Sequence, residues 1–513
     1  MERTTPESTD GNHMKYDYQD QIPQIDKGEG DIIDENYAIN EQSLVRKLDM
    51  TLMPMVFVLY LLNYLDRNNI AQAKLDTIEE ELGLEGNEYN IAISILSIGY
   101  VLMQVPSNML LTRVRPSIYI PLWVCIWSCL SAATAAVQNF AGLTAIRFFL
   151  GICEAPFFPG VFYLLSCWYT KKELALRYAV LYSGLVLATA FSGLLAAGIF
   201  AGLENKQGLA GWRWLFIIEG LVSLVFGLLA FFLLPDFVES ETGSTKWLFT
   251  EYERHVAVER MRRDAISVED DNHSLLRGLK ASVIDPKVWL FVSYVLRHHV
   301  KNLYFEKRLE HIANLTKQAL MLCANQTAYG FNYFYPSIVE GFDLGTRTIT
   351  LVCTAPPYIV GAIVAYLIAW SSDRRGWHIA LPIIVATVGF IISVSVLSIP
   401  ARYCASFLYI SGVFGANATL YGWAASSVSS TPEKKACATA IINVIGQFGS
   451  IWSPYFFNSN DAPRYTTAML LLMAFCVLEA LLCFAMKFLL RKENKKILER
   501  FDGYGAAPNL YTL

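Results

Sequence analysis

Apolar stretches of about 20 residues recur along the chain, and this repetition constrains the fold more than any other feature. A stretch of that length crosses a bilayer as an α-helix, which satisfies its own backbone hydrogen bonds. Charged residues make up only 17% of the chain, whereas soluble domains carry about 25%. The sequence therefore predicts an all-α polytopic membrane protein. Eleven clear spans are predicted at Met50–Ile70, Tyr89–Leu111, Ile118–Val137, Gly142–Trp168, Leu176–Ala201, Trp212–Leu234, Ile349–Trp370, Ile379–Ile399, Tyr403–Ser427, Ala436–Phe457 and Thr466–Leu490.

Composition excludes several other classes of function. The net charge of −4 argues against a nucleic-acid partner. The ten cysteines are scattered through apolar runs without metal-ligand spacing to histidine, so we interpret them as packing residues and predict no metal site. The chain has no phosphate-binding motif of the Gly-x-x-x-x-Gly-Lys-Ser/Thr type. We therefore expect neither an enzyme nor a bound cofactor, and any uphill transport must use an ion gradient.

The distribution of Lys and Arg requires one more helix than the eleven clear spans. With a cytosolic N-terminus and twelve spans, most basic residues of the short loops lie inside, as the positive-inside rule demands. With eleven spans the basic C-terminal tail would lie outside, so we expect a twelfth helix between Pro286 and Ile349. The predicted organisation is a disordered cytosolic tail (1–45), a six-helix half (46–235), a cytosolic central loop (236–286), a second six-helix half (287–490) and a cytosolic tail (491–513).

Two basic turns indicate that the halves are related. Thr112–Pro121 follows the second span and Ser372–Pro382 follows the eighth, so the same kind of turn recurs six spans apart. Two six-helix halves in a parallel repeat are the architecture of major facilitator proteins. The sequence thus predicts the major facilitator fold with both termini in the cytosol.

Two pairs of charged residues lie within predicted spans, where an ionised side chain is costly and indicates function. Asp66 and Arg67 come about one turn before the outer end of the first span. They form either an interfacial ion pair that extends toward water or the mouth of an anion path. Arg147 and Glu154 share one face of the fourth span. Glu154 lies near the middle of that span, and we favour a proton-carrying carboxyl over a closed structural ion pair.

Uncharged polar residues in spans either bridge helices or contact a solute. Asn332 and Tyr333 lie in the seventh region, and Asn443 and Gln447 lie one turn apart on the eleventh span. We predict that these four residues contact substrate. Glu219, in the sixth span, is interpreted as a structural residue that orients its helix against a neighbour.

Small residues on the fifth span predict a close contact with another helix. Gly184, Ala188 and Ser192 are spaced by four, as are Gly198 and Gly202. Such spacing lets two helix backbones approach closely. We expect this face to form a movable contact between the two halves.

The segment Leu296–Ala319 interrupts the seventh span with basic, acidic and histidine residues. Each charged side chain placed in the hydrocarbon core of the bilayer would cost about 2.5–3.5 kcal/mol. Without it, Lys287–Val295 joins Leu320–Asn332 as one span of ordinary length. The segment is a histidine metal or proton site, a genuine insertion or a translated intron, and we favour the intron. A spliced transcript without the segment supports the intron, whereas a transcript that always contains it contradicts it. If the protein retains the segment, we expect a broken helix and a defective transporter.

Several motifs in combination resemble the fungal allantoate permease family, which belongs to the anion:cation symporters of the major facilitator superfamily. The resemblance covers nearly all of residues 46–492 outside the interrupted segment. The motifs are Asn63–Asn69, Arg147–Gly160, Gly211–Gly220 followed by Leu234–Asp236, Phe331–Pro336 and Ser459–Arg464.

The resemblance implies proton-coupled uptake of a small organic anion across the fungal plasma membrane. Family substrates include allantoate, ureidosuccinate, nicotinate, pantothenate and biotin. In the wider superfamily branch, positions matching Arg67, Arg147 and Glu154 are implicated in anion binding and proton coupling, and we add Asp66 as a second proton-coupling candidate. We expect a monomer in the lipid bilayer.

The turn after the eighth span keeps Asp373, Arg374 and Arg375 of the superfamily's loop motif, which implies a gating role. Two other functions remain open: a nutrient sensor on a transporter scaffold and a drug/proton antiporter of the same fold. The tails contain no recognisable signalling domain, and two arginines in the path favour an anionic substrate. Proton–anion symport is therefore the leading prediction.

Overall fold

Helices account for the regular structure in a computed structural model that describes residues 30–111, 114–240, 242–264, 319–372, 379–427 and 443–499. The predicted gating residues Asp373, Arg374 and Arg375 and most of the interrupting segment (296–318) lie outside these ranges. The helices are α1 Gly30–Ala73, α2 Ile78–Leu82, α3 Glu88–Leu111, α4 Pro116–Ala133, α5 Phe140–Glu154, α6 Phe157–Trp168, α7 Lys171–Leu203, α8 Gly211–Leu233, α9 Thr245–Leu248, α10 Glu251–Asp264, α11 319–328, α12 Tyr335–Glu340, α13 Arg347–Ser372, α14 Ala380–Ser395, α15 Ile399–Ser427, α16 443–452 and α17 Thr466–Glu499.

Several of these helices are long enough to cross a membrane, which confirms the prediction of an all-α membrane protein. Within the described residues, seven segments are long and apolar enough to span a bilayer, and Ala380–Ser395 is a shorter apolar helix. The number of twelve spans and the cytosolic location of both termini remain predictions. The seven segments are Tyr37–Ala73, Pro116–Ala136, Phe140–Trp168, Leu176–Leu203, Gly211–Leu233, Arg347–Ile368 and Thr466–Phe488.

Helix α1 begins earlier than the sequence predicted, so the assignment of residues 1–45 to a disordered tail is wrong from residue 30 onward. The extension is held by α10 of the central loop. Leu44 is fully buried, Ser43 Oγ donates to Glu253 Oε1 at 2.8 Å, and Lys47 Nζ lies 2.7 Å from Glu253 Oε2. Polar partners on a neighbouring helix stabilise a segment whose composition alone suggests disorder.

The predicted fourth span is divided into α5 and α6. Pro156 lies at the break, between the last residue of α5, Glu154, and the first of α6, Phe157. Proline has no backbone N–H and its ring obstructs the preceding turn, so it interrupts helical hydrogen bonding. The break places the Glu154 side chain in the protein interior, where it is 1% exposed.

Helices α7 and α13 form a close contact between the two halves at Gly193, but the face predicted to make it is wrong. Gly184 packs against Phe57 and Ser192 accepts a bond from Gln72, both on α1 of the same half. A Cβ atom at Gly193 would lie 2.2 Å from Thr354 Oγ1 and 2.8 Å from the Leu351 carbonyl oxygen. Gly198 and Gly202 have open space where a Cβ would project. The absence of a side chain at Gly193 therefore sets the approach of the halves.

Substituting Gly193→Ala is expected to destabilise the protein by about 1–3 kcal/mol, because the added methyl group overpacks this contact. Gly198→Ala is the matched control on the same helix, and it should be neutral or stabilising. Thermal unfolding of the purified proteins in detergent measures both effects. Equal melting temperatures for the two variants would contradict the assigned contact.

Candidate functional site

A buried ion pair joins the first and fourth spans. Arg67 Nε donates a short hydrogen bond to Glu154 Oε2, and the two side chains are 11% and 0% exposed. The Arg67 guanidinium also lies over the rings of Tyr64 and Tyr100, at 5.3 and 4.7 Å from their centroids. The alternative of an interfacial Asp66–Arg67 ion pair that extends toward water is wrong: Arg67 lies about two turns before the end of α1, bonds to Glu154 and is enclosed by protein.

Arg147 is also buried in this half but forms no salt bridge with Glu154. Its side chain is 1% exposed, and its guanidinium lies 5.7 Å from the centroid of Phe216. Nε and Nη2 of Arg147 find no hydrogen-bond partner among the described residues. The alternative of a closed ion pair that joins two helices is present, but the partner of Glu154 is Arg67 of α1 and not Arg147. Unused donors on a buried cation are suited to an anionic ligand.

Two more carboxyl groups lie in the same half. Asp66 is fully buried and accepts hydrogen bonds from Ser131 Oγ at 2.8 Å and Ser223 Oγ at 3.4 Å. The placement of Asp66 at the interface with water is thus also wrong. Glu219 is 2% exposed and accepts a bond from Asn69 Nδ2 at 2.6 Å, which links α8 to α1 in the manner of the structural role predicted for it.

A narrow cavity lies between the halves, and its two walls differ in chemistry. The N-terminal half supplies Tyr60, Tyr64, Tyr100 and Tyr182, so the tyrosines that cover Arg67 also face the cavity. The second half supplies carboxamides, including the predicted substrate contacts Asn443 and Gln447. The carboxamides that line the cavity are Gln326, Asn417, Asn443 and Gln447.

Asn332 and Tyr333 also lie in the interface, and the Tyr333 hydroxyl is close enough to Arg67, Glu154 and Arg147 to interact with them electrostatically. The Asn332 amide donates to Asn68 Oδ1 at 3.0 Å and its oxygen accepts from Tyr358 Oη at 2.7 Å. The carbonyl oxygen of Tyr333 accepts a bond from Tyr89 Oη at 3.4 Å. These bonds occupy the Asn332 side chain in joining the halves, and neither residue lines the cavity.

An ionic cluster joins the halves at the end that the positive-inside rule places outside. Arg347, the first residue of α13, bonds to Asp76 Oδ1 through Nη1 and to Glu204 Oε2 through Nη2, the latter at 2.6 Å. Asp76 Oδ2 also accepts from the Trp212 backbone N–H at 2.7 Å. We call Asp76, Glu204 and Arg347 the outer latch, because the two carboxylates belong to the first half and the arginine to the second.

Burial raises the pKa of Asp76, against the lowering effects of the Trp212 N–H and the Arg347 guanidinium. Asp76 therefore takes up a proton at milder acidity than an exposed aspartate does. Protonation removes its charge and weakens its bond to Arg347. Falling pH is thus expected to loosen the outer latch.

Comparison with known proteins identifies the family. The family model described as Major Facilitator Superfamily matches residues 56–454. The chain belongs to the Major Facilitator Superfamily. It is 31% identical to the MFS-type transporter efuF of Hormonema carpetanum over 84% of this chain and 82% of that one. It is 33% identical to the MFS-type transporter cnsO of Penicillium expansum, covering 89% and 85% of the two chains.

Solved structures of transporters share this fold at low sequence identity. A bacterial homologue of the human lysosomal transporter Spinster, in an inward-facing and occupied conformation, matches with a TM-score of 0.61 at 16% identity, over 86% of this chain and 97% of that one. A D-xylose–proton symporter matches with a TM-score of 0.61 at 12% identity, over 84% and 96%. The major facilitator fold is therefore confirmed, and this chain is a membrane transporter, not an enzyme.

Several residues of the candidate site were not predicted from the sequence. Neither Arg347 nor Glu204 was predicted to have a role, because pairing across two halves has no local sequence signal. The tyrosines of the cavity wall were also missed, since aromatic residues are common in apolar helices. The signal that was available is the placement of acidic and basic residues at the outer ends of spans from opposite halves.

Substituting Arg347→Ala is expected to release the outer latch and favour states open to the outside. Arg213→Ala is the matched control, because Arg213 contacts Glu81 and the Ala135 and Val137 carbonyl oxygens, all within the first half. Labelling by a membrane-impermeant maleimide of a cysteine introduced at Gln72, a buried residue of α1 that bonds within the first half, reports outer access in a chain without its native cysteines. We expect roughly tenfold faster labelling with Arg347→Ala and little change with Arg213→Ala, as a latch worth about 1.4 kcal/mol implies. Similar labelling rates in the two variants would exclude the latch.

Proposed function

We propose that this transporter carries a small organic anion into the cell together with a proton. The observation that carries the proposal is Arg147, a buried guanidinium whose Nε and Nη2 have no partner among the described residues. A carboxylate accepts two parallel hydrogen bonds from a guanidinium, which makes it a suitable ligand for such a group. A transporter of cations would have no use for an unpaired buried cation.

The balance of buried charge supports a role for protons. The core of the first half holds two arginines, Arg67 and Arg147, and three carboxyl groups, Asp66, Glu154 and Glu219. A bound organic anion adds negative charge in a region where uncompensated charge is strongly unfavourable. Uptake of a proton by a carboxyl group restores the balance.

Glu154 is the carboxyl group best placed to couple binding of the anion to binding of the proton. When a substrate carboxylate bonds to Arg67, Glu154 loses its cationic partner and protonation becomes favourable. Departure of the substrate returns Arg67 to Glu154 and expels the proton. Asp66, which accepts bonds from two serine hydroxyls nearby, is a second proton acceptor in this scheme.

The walls of the cavity suggest the class of substrate. The carboxamides of Gln326, Asn417, Asn443 and Gln447 provide both donors and acceptors, and the opposite wall is aromatic. This combination fits a carboxylate that also carries a ureido, amide or heteroaromatic group, such as allantoate, ureidosuccinate or nicotinate. We place Arg67 and Arg147 against the carboxylate and the amides Asn443 and Gln447 against the remainder.

The transport cycle we propose alternates access by rocking of the two halves. The outer latch and the Asn68–Asn332 bond close the outer side in the structure and must break for substrate to enter from outside. We propose a monomer that works in the fungal plasma membrane, with the proton gradient as its energy source and no cofactor.

Uptake into cells that lack their own carriers tests the proposal. Radiolabelled allantoate, ureidosuccinate, nicotinate and pantothenate are presented at acidic external pH to cells that express the chain with and without Arg147→Ala. We expect saturable uptake of at least one carboxylate and its loss in the variant, with equal surface expression. Signalling responses without uptake would favour the sensor alternative, and efflux of cationic drugs would favour the antiporter.

A further inference from the structure

The second half contains a buried carboxyl group that the proposed cycle does not use. Glu479 lies within the span Thr466–Phe488 on α17 and is 1% exposed. Its polar contact in the described part of the chain is Asn325 on α11, whose Nδ2 lies 3.2 Å from Oε1 and 3.3 Å from Oε2. Neither Arg nor Lys among the described residues forms a salt bridge with it.

Among the described residues, the surroundings of Glu479 offer no cation to balance a negative charge. Helix α14, which packs along α17, has no ionisable side chain. Cys476 and Cys483 flank Glu479 on its own helix, and α17 also packs against the segment Tyr329–Tyr333. An ionised carboxylate here would have one amide donor in place of water, and this leaves most of its desolvation cost uncompensated.

The hydrogen bonds of Asn325 indicate where a proton belongs. Its Nδ2 also approaches the Val413 carbonyl oxygen at 3.5 Å, so the amide donors are occupied. Its Oδ1 is buried without a partner among the described residues. Both carboxyl oxygens face Nδ2, so a small turn of the carboxyl group brings one of them to Oδ1. A neutral carboxylic acid then supplies the missing donor, because its O–H donates to the amide oxygen while its carbonyl oxygen accepts from the amide N–H.

We infer that Glu479 is held protonated and forms a two-way acid–amide pair with Asn325 that ties α17 to α11. Asn325 lies about one turn before the 3₁₀ helix Tyr329–Tyr333, and Asn332 of that helix contacts the first half. Glu479 is thus a positioning residue for the interface, not a member of the proton-coupling set. Its protonation is independent of the proposed function, whereas its effect on transport rests on that proposal.

Infrared difference spectroscopy tests the protonation directly. The spectrum of the reconstituted full chain at neutral pH is compared with that of Glu479→Gln, and we expect the parent to show a protonated carboxylic C=O band that the variant lacks. Glu154→Gln serves as the control for band assignment. A carboxylate band lost in Glu479→Gln, with no change in the carboxylic region, would overturn the inference whether or not any substrate is transported.

Two substitutions at the same position test the positioning role. Glutamine reproduces the donor and acceptor of a neutral acid, so Glu479→Gln is expected to keep stability, uptake and the proton-to-substrate ratio within about twofold. Glu479→Ala leaves Asn325 unsatisfied and opens a void. At the midpoint of unfolding of the parent protein, we therefore expect the ratio of folded to unfolded protein to fall by about tenfold or more in this variant. Loss of proton coupling in Glu479→Gln with uptake retained would show that the residue titrates during transport, and would overturn the assignment.

Discussion

Replacing Arg67 with methionine is expected to abolish transport and to lower the free energy of unfolding by about 3–5 kcal/mol. The substitution leaves Glu154 buried without its cationic partner, and breaking one side of a buried ion pair carries that cost. Thermal unfolding in detergent and uptake of the labelled anion measure the two effects separately.

A double substitution separates stability from function. In Arg67→Met with Glu154→Met, neither member of the ion pair is left without its partner, and well-packed apolar side chains at a buried pair are neutral or stabilising. We expect stability to recover while transport stays absent, because the guanidinium that we propose to bind the anion is gone. Recovery of transport in the double variant would show that the pair serves structure alone.

Glu154→Gln is expected to uncouple anion movement from the proton gradient. Glutamine cannot take up and release a proton, yet it still accepts a hydrogen bond from Arg67 through its carbonyl oxygen. We expect exchange of labelled for unlabelled anion to continue across the membrane, while accumulation against a gradient is lost at every pH tested. Counterflow and gradient-driven uptake in the same proteoliposomes distinguish these activities.

Glu219→Gln provides the matched control for Glu154→Gln. Glu219 is equally buried in the same half, but its partner is the amide of Asn69 instead of an arginine. We expect accumulation to remain dependent on the proton gradient in this variant. Accumulation that persists in Glu154→Gln would remove that residue from the coupling scheme.

The fold was accessible from sequence because a bilayer imposes a simple physical requirement on length and polarity. Spans such as Trp212–Leu234 match the observed α8 at Gly211–Leu233 closely, since apolar length alone defines them. Hydropathy contains less information about breaks and extensions. Pro156 divides the fourth span, and the polar start of α1 is helical because Glu253 of another segment bonds to it.

The sequence allowed the candidate site residues to be identified, but not the residues with which they pair. Arg67, Arg147 and Glu154 stand out because charge is rare in a membrane span. Helical spacing suggested a relation between Arg147 and Glu154, whereas the structure pairs Glu154 with Arg67 from another helix. Glu479 was missed, because its importance depends on Asn325, which is distant in sequence and adjacent in space.

The most direct test of proton–anion symport uses purified protein in sealed proteoliposomes with an imposed pH gradient, acidic outside. The labelled carboxylate identified in cellular uptake is added outside, with and without a protonophore, and internal pH is followed by a trapped dye. The proposal predicts accumulation above equilibrium, acidification of the lumen in step with uptake, and loss of accumulation when the protonophore is present. Accumulation that is unaffected by collapse of the proton gradient would contradict it.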